Sequence, residues 1–175
     1  FPKAIYGSCN PYFVDVGIKI GGHNFFKYFT GFGFTQKTGI DMMGEQTPST
    51  MLYHSEEKLS NPLSQSYLAT SSFGQTFKVS PIQMITAMSA VANGGKLMQP
   101  YVVQKILDGD GHVVENVTPT VKRQVISKET AKRVAAMLDT AVNTGSKNAY
   151  VAGYRVAGKT GTSEKRDIKV EAGQQ

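Results

Sequence analysis

Apolar positions along the chain change period several times, and each change marks an element. Phe13, Val16 and Ile20 recur at helical spacing after Ser8-Cys9-Asn10-Pro11, a loop running into a helix with Asn10 as N-cap and Pro11 at the first helical position. Gly21-Gly22 breaks that stretch. Phe25, Phe26 and Phe29 then predict a second, aromatic helix over residues 24–30, closed by Gly31-Phe32-Gly33-Phe34. From Lys37 to Ala69 no period holds and the segment reads as irregular, a length of loop that is functional or mobile in compact domains. Ser80-Pro81-Ile82-Gln83 predicts a helix start with a capping box, Ile82, Ile85, Met88 and Ala92 share one face, and Gly94-Gly95 ends the helix. Tyr101–Leu107 and His112–Glu115, joined by Asp108-Gly109-Asp110-Gly111, predict a β-hairpin. Val121–Ile126 predicts a further strand. Ser127 caps a helix to Asn143 that turns Ala131, Val134, Ala135, Leu138 and Val142 to the core, and Thr144-Gly145 stops it. Tyr154–Thr162 predicts a strand entered through Gly153.

Composition narrows the class. A chain of 175 residues with 40% hydrophobic and 18% charged positions is a globular chain of about one domain. No apolar run approaches the roughly 18 residues that span a membrane, and Phe1-Pro2-Lys3-Ala4 lacks the pattern of a secretory leader. Cys9 is the single cysteine, which excludes an internal disulfide framework and a Cys-rich zinc site. His23, His54 and His112 show no metal-ligand spacing and read as surface or satisfied histidines. The net charge is +6, from 19 Lys+Arg and 13 Asp+Glu. Its clusters, Lys122-Arg123, Lys128/Lys132/Arg133 and Lys165-Arg166, form no stripe interleaved with aromatics, which argues for a basic surface and against a nucleic-acid partner. The six aromatics between Phe25 and Phe34 lie at helical spacing without interleaved Arg and read as core.

Three short motifs can carry chemistry. Gly153-Tyr-Arg-Val-Ala-Gly158-Lys159-Thr160 formally matches a P-loop, but its interior is made of strand formers and Gly161-Thr162-Ser163 is a poor helix start, so nucleotide binding is disfavoured. Lys159-Thr160-Gly161 is also the K-T-G element of penicillin-recognising serine enzymes. There a Gly keeps the strand face bare for an extended peptide or a β-lactam, the Lys supplies positive charge, and Thr hydroxyls hold a carboxylate. Upstream, Ser8-Cys9-Asn10 matches S-x-N, in which a hydroxyl can pass a proton and an amide can anchor a peptide bond; by itself the tripeptide is also an ordinary helix cap.

With these in place the chain resembles the transpeptidase domain of class B penicillin-binding proteins, most closely the sporulation-specific type. Thr38-Gly39-Ile40-Asp41 with Gly44-Glu45 resembles the family's T-G-I-D-x-x-G-E segment, and Ser72-Phe73-Gly74-Gln75 its S-x-G-Q. Val79-Ser80-Pro81-Ile82-Gln83 resembles V-T-P-x-Q, Ala92-Asn93-Gly94-Gly95 the A-N-G-G helix end, and Val156–Thr162 the A-G-K-T-G-T strand. The order is the family's and covers nearly the whole chain.

The resemblance implies an α+β fold of the transpeptidase and serine β-lactamase kind, a helical subdomain plus an antiparallel sheet. Residues 1–175 would be the central and C-terminal part of one such domain, incomplete at both ends, with no second domain. It implies a peptidoglycan D,D-transpeptidase working through a serine acyl-enzyme, without metal or cofactor. Ser8 would relay a proton, Asn10 would hold the donor peptide and Lys159 would keep the site positive. Thr160, Gly161 and Thr162 would bind substrate, the Thr162 N–H as one oxyanion-hole donor. Partners would be stem peptides, β-lactams and, for the parent, cell-wall synthesis proteins. The location would be the extracytoplasmic face of the bacterial membrane, anchored through a segment outside this chain.

The family's nucleophile is the Ser of an S-x-x-K that precedes S-x-N, and only seven residues precede Ser8, so the chain alone is expected to be inactive. Ser55-Glu56-Glu57-Lys58 matches the letters in the wrong place, with two carboxylates that discourage a deprotonated serine. The K-T-G strand would present an open edge, which predicts pairing with another copy by strand exchange. A non-catalytic penicillin-binding-like sensor or scaffold is the alternative reading. A serine β-lactamase is disfavoured because its extra deacylating carboxylate has no recognisable position.

Overall fold

The first break in the chain sets the geometry of everything after it. In the computed structural model, which describes residues 2–45, 53–145 and 147–163, a short helix α1 (Pro2–Tyr6) leads through Ser8 into α2 (Asn10–Gly31). Ser8 adopts a left-handed backbone (φ 48°), and the Cys9 N–H donates back to the Ala4 carbonyl at 3.0 Å. The chain therefore enters α2 one residue earlier than the sequence suggests. Cys9, not Asn10, is the N-cap; Asn10 is the first helical residue, with Pro11 directly behind it. The expected break falls at Gly21, whose φ of 76° and ψ of 158° kink α2 into two segments. The aromatic half packs as core: Phe29 lies against Phe25, Phe34, Tyr53 and Phe77 at ring separations of 5.1–6.1 Å.

The segment from Lys37 to Ala69 is only partly irregular. It contains α3 (Glu56–Ser60), a 3-10 turn (Pro62–Ser64) and the start of α4 (Gln65–Ser72). These helices lie against α2 at its glycines. A Cβ on Gly17 would fall 1.8 Å from the Ser72 Oγ, and one on Gly22 would fall 2.3 Å from the Leu59 carbonyl carbon. Close backbone approach replaces a broad apolar stripe, which is why no helical period shows there.

The second half follows the sequence more closely. α5 (Pro81–Ala92) begins with the full capping box: Ser80 Oγ accepts from the Gln83 N–H, and Gln83 Oε1 accepts from the Ser80 N–H at 2.9 Å. It leads through Gly94-Gly95 into β1 (Lys96–Met98), which pairs antiparallel with β4 (Val121–Gln124). The hairpin is β2 (Lys105–Leu107) with β3 (Val113–Asn116), exposed along its length. β2 is shorter than expected because the Val102 and Val103 N–H groups donate to the Asp41 carboxylate rather than to a strand. α6 (Lys128–Gly145) opens with the Thr130 N–H donating to Ser127 Oγ at 3.1 Å. Ala90, Leu97, Ala131 and Val142 are buried.

The expected strand at Tyr154–Thr162 is not formed. This stretch is a turn followed by chain without regular structure, and it rests on α6 instead of on a neighbouring strand. The Gly158 N–H donates to the Leu138 carbonyl at 3.4 Å, and Arg155 donates to Asp139 at 2.8 Å. The fold class is α+β, helices with two small antiparallel sheets. No helix among the described residues is long and apolar enough to cross a membrane.

Candidate active site

Ser8 and Lys159 stand 151 positions apart in the chain and meet in space: the Lys159 Nζ donates to the Ser8 Oγ. The tight turn between α1 and α2 places Ser8. The Ser8 N–H donates to the Ile5 carbonyl at 3.2 Å, so the hydroxyl stands on a fixed backbone at the mouth of α2. The contact of Gly158 with α6 places Lys159. Its Nζ also donates to the Thr160 carbonyl at 2.9 Å and the Thr160 Oγ1 at 3.2 Å. No carboxylate pairs with Lys159 among the described residues.

The remaining sequence-derived residues flank this pair along the chain. Asn10 is exposed at the first position of α2. Thr160, Gly161 and Thr162 are exposed in a row, and a Cβ on Gly161 would meet no atom within 4 Å, so the chain face there is bare. Beyond them, Ser163 Oγ donates to Gln75 Oε1 at 3.3 Å. Sequence reasoning assigned no role to Gln75, although it lies in the S-x-G-Q segment. A groove of about 860 Å³ between the C-terminal end of α5 and α6, lined by Val91, Ala92, Lys132, Ala135, Arg155 and Ala157, contains none of these site residues.

Other candidates have structural work. Ser55 is the N-cap of α3, its Oγ accepting from the Lys58 N–H, while Lys58 Nζ lies 4.1 Å from the centroid of the Tyr67 ring. The P-loop letters at Gly153–Thr160 run straight into residues 161–163, which form no helix, where such a loop needs one directly after it. His54 packs against Tyr67 with the rings tilted at 45°, and burial, then the nearby Lys58 charge, pushes its pKa down. His23 contacts Glu56 at 2.6 Å. Against the sequence reading, His112 does have carboxylate neighbours: Asp108, Asp110 and His112 bring ligand atoms within 4.8 Å of one another. All three are exposed, and Asp108 serves the hairpin turn, accepting from the N–H groups of Asp110 and His112 at 3.0 and 2.8 Å.

The T-G-I-D-x-x-G-E segment is a clip. Glu45 accepts from the Thr38 hydroxyl at 2.7 Å and the Gly39 N–H at 3.1 Å. Lys122 donates to the Thr38 carbonyl at 2.9 Å, and Gln99 donates to the Gly39 carbonyl at 2.7 Å. The clip thus fastens residues 37–45 to β4 and to the chain just after β1.

Residues 1–175 match the penicillin binding protein transpeptidase domain throughout. The chain belongs to this transpeptidase family. It is 44% identical over 165 residues to stage V sporulation protein D of Bacillus subtilis, covering 93% of this chain and 24% of that protein. The D,D-transpeptidase domain of a peptidoglycan glycosyltransferase from Eggerthella lenta superimposes with a TM-score of 0.80 at 29% identity, over 95% of this chain and 42% of that one. Penicillin-binding protein 3 of Mycobacterium tuberculosis, complexed with ampicillin, superimposes with a TM-score of 0.84 at 26% identity, over 96% of this chain and 37% of that one. The transpeptidase family chain described here thus spans about a quarter of its curated sporulation relative and well under half of its structural relatives.

Proposed function

We propose that residues 1–175 are the central and C-terminal part of one transpeptidase domain in a longer penicillin-binding protein, a peptidoglycan D,D-transpeptidase that works through a serine acyl-enzyme. The observation that carries this reading is the Lys159–Ser8 hydrogen bond beside the exposed Thr160-Gly161-Thr162 row. The nucleophilic serine belongs to an S-x-x-K outside this chain. Its Oγ attacks the penultimate D-Ala carbonyl of a stem peptide. The C–N bond breaks, and the terminal D-Ala leaves with a proton relayed through Ser8. An amine from a neighbouring stem peptide then attacks the ester and frees the serine. Dividing one acyl transfer into two steps is what covalent catalysis contributes.

Each residue has a physical reason for its part. Lys159, unpaired with any carboxylate among the described residues, holds the Ser8 hydroxyl and favours anionic groups beside it. Thr160 and Thr162 offer hydroxyls to a substrate carboxylate, and the bare chain at Gly161 lets an extended peptide approach the backbone. In this reading Asn10 holds the donor peptide, and the Thr162 N–H stabilises the oxyanion, a kind of contact worth about 3 kcal/mol in acyl transfer. The ampicillin complex of the tuberculosis relative supports β-lactams as ligands. The similarity to stage V sporulation protein D supports a sporulation role, and in this reading the complete protein works on the extracytoplasmic face of the bacterial membrane.

Intact mass after incubation with a penicillin tests this. The full-length protein is expected to gain one adduct on the serine of its S-x-x-K, and the 175-residue chain alone none. An adduct at Ser55 would overturn the assignment of the nucleophile. A full-length protein with S-x-x-K that never acylates would favour a non-catalytic sensor.

A further inference from the structure

Among the described residues, two that are not glycine adopt a left-handed backbone, Ser8 (φ 48°) and Thr76 (φ 65°). For a β-branched residue this is an outlier that persists only where the surroundings enforce it, and such strain concentrates at functional sites. Both positions adjoin the same five residues. Ser8 receives Lys159 at one end of the segment, and Gln75, next to Thr76, receives Ser163 at the other.

The turn after α4 is built to hold Thr76 in place. Its Oγ1 lies 3.0 Å from Thr70 Oγ1 and 3.4 Å from Ser71 Oγ. The Gln75 N–H donates to the Thr70 carbonyl at 3.0 Å, and Gly74 turns the chain at φ 89°. One residue further on, Phe77 packs edge-on against Phe29 at 5.2 Å. Gln75 thus sits between a helix end and a core aromatic, half-buried, rather than on a free loop. Its carboxamide oxygen takes up the hydroxyl of a residue 88 positions away, the first after Lys159-Thr160-Gly161-Thr162.

We propose that Gln75 is a positioning residue for the K-T-G segment. It acts through Ser163 to fix the end that receives the carboxylate of an extended acyl-donor peptide. The inference rests on the transpeptidase reading above. With Lys159 tied to Ser8 and Ser163 tied to Gln75, Thr160 and Thr162 are suspended between two anchored ends. Their hydroxyls keep one spacing and one direction, and small misplacements of such groups are costly. Gln75 acts through Ser163 rather than on the ligand directly, so its loss weakens ligand capture and spares the bond-making step.

The test uses the full-length protein and a fluorescent penicillin, with stopped-flow kinetics that separate half-saturation concentration from the acylation rate constant of the bound complex. Gln75→Met removes the acceptor at similar size, and Ser163→Ala removes the donor. Each is expected to raise the half-saturation concentration about fivefold, the scale of one neutral hydrogen bond. The acylation rate constant should stay within about twofold, since a contact made equally in bound and transition states changes binding alone. The double variant is expected to be no worse than either single, because both remove one interaction. Ser163→Thr, which keeps the hydroxyl, is expected to restore capture. An unchanged half-saturation concentration in Gln75→Met, or losses that multiply in the double variant, would overturn the proposal. If Gln75→Met fails to fold, the exposed Ser163→Ala carries the test alone. Wild-type protein that forms no adduct at all would overturn the transpeptidase reading, and this inference with it.

Discussion

Glu45 ionises against its own burial. Burial raises its pKa, but hydrogen bonds from the Thr38 hydroxyl, the Thr38 N–H and the Gly39 N–H, with the Lys37 charge, outweigh it and hold the carboxyl below its ordinary value. Asp41 is lowered too, by the N–H groups of Val103 and Val102. A carboxyl with a folded pKa below its unfolded one stabilises the fold at neutral pH, and that contribution fades as pH falls through the folded value. The melting temperature of the wild type is therefore expected to drop below about pH 4, and that of Glu45→Gln to drop less steeply while starting lower. A melting series across the acid range checks this; parallel curves would refute it. Gln83 is the second residue whose role lies in the fold. It is 1% exposed and its amide donates to the carbonyls of Gly33, Phe34 and Gln36. Gln83→Leu is expected to cost about 2–3 kcal/mol in denaturant unfolding by leaving buried carbonyls unpaired. Both residues lie in motifs visible in the sequence. Glu45 finds Thr38 and Gly39 within its own motif, but the carbonyls that Gln83 serves, 47–50 positions away, are supplied only by the fold.

Helix α4 shows why some elements escape a reading by pattern. Its sequence, Gln65–Ser72, is mostly polar or small, and it buries Leu68 and Ser71 while Ser72 fills the notch at Gly17. An apolar stripe announces a helix packed by bulk, whereas α4 and α3 are packed by closeness, which leaves only glycines in the partner helix as its trace. The capping box at Ser80, the Asp-Gly turn of the hairpin and the Gly21 kink were legible because each is a local conformational requirement met by local residues. The strand expected at 154–162 failed for the opposite reason: strand formers make a strand only beside a partner. The packing argument predicts that Gly22→Ala, whose Cβ would meet the Leu59 backbone, costs about 1–3 kcal/mol by displacing α3. Gly109→Ala, with nothing within 4 Å, is expected to stay within about 0.5 kcal/mol. Equal effects in thermal melts would show that α3 gives way freely.

Across the whole molecule, the described chain leaves apolar surface uncovered. Met84, Ile85 and Met88 are exposed along α5, and Tyr150, Val151 and Tyr154 are exposed where the chain approaches Lys159. Among the described residues, the backbone after Tyr154 joins no β-ladder. The isolated 175-residue chain is therefore expected to associate with a second copy through this segment, with a sedimentation mass that rises with concentration. A constant monomer mass across the micromolar range would refute this. The hairpin β2–β3 stands apart from these surfaces. It is a two-stranded ladder exposed along its length, and such a ladder is marginal without a third layer. Its amides should exchange with deuterium long before those of α5 or α6, and a protease should nick it first, near Gly109. The Asp41 anchor at Val102 and Val103 lies before the first strand, so a break or an inserted tag at the tip would leave the rest of the chain still fastened.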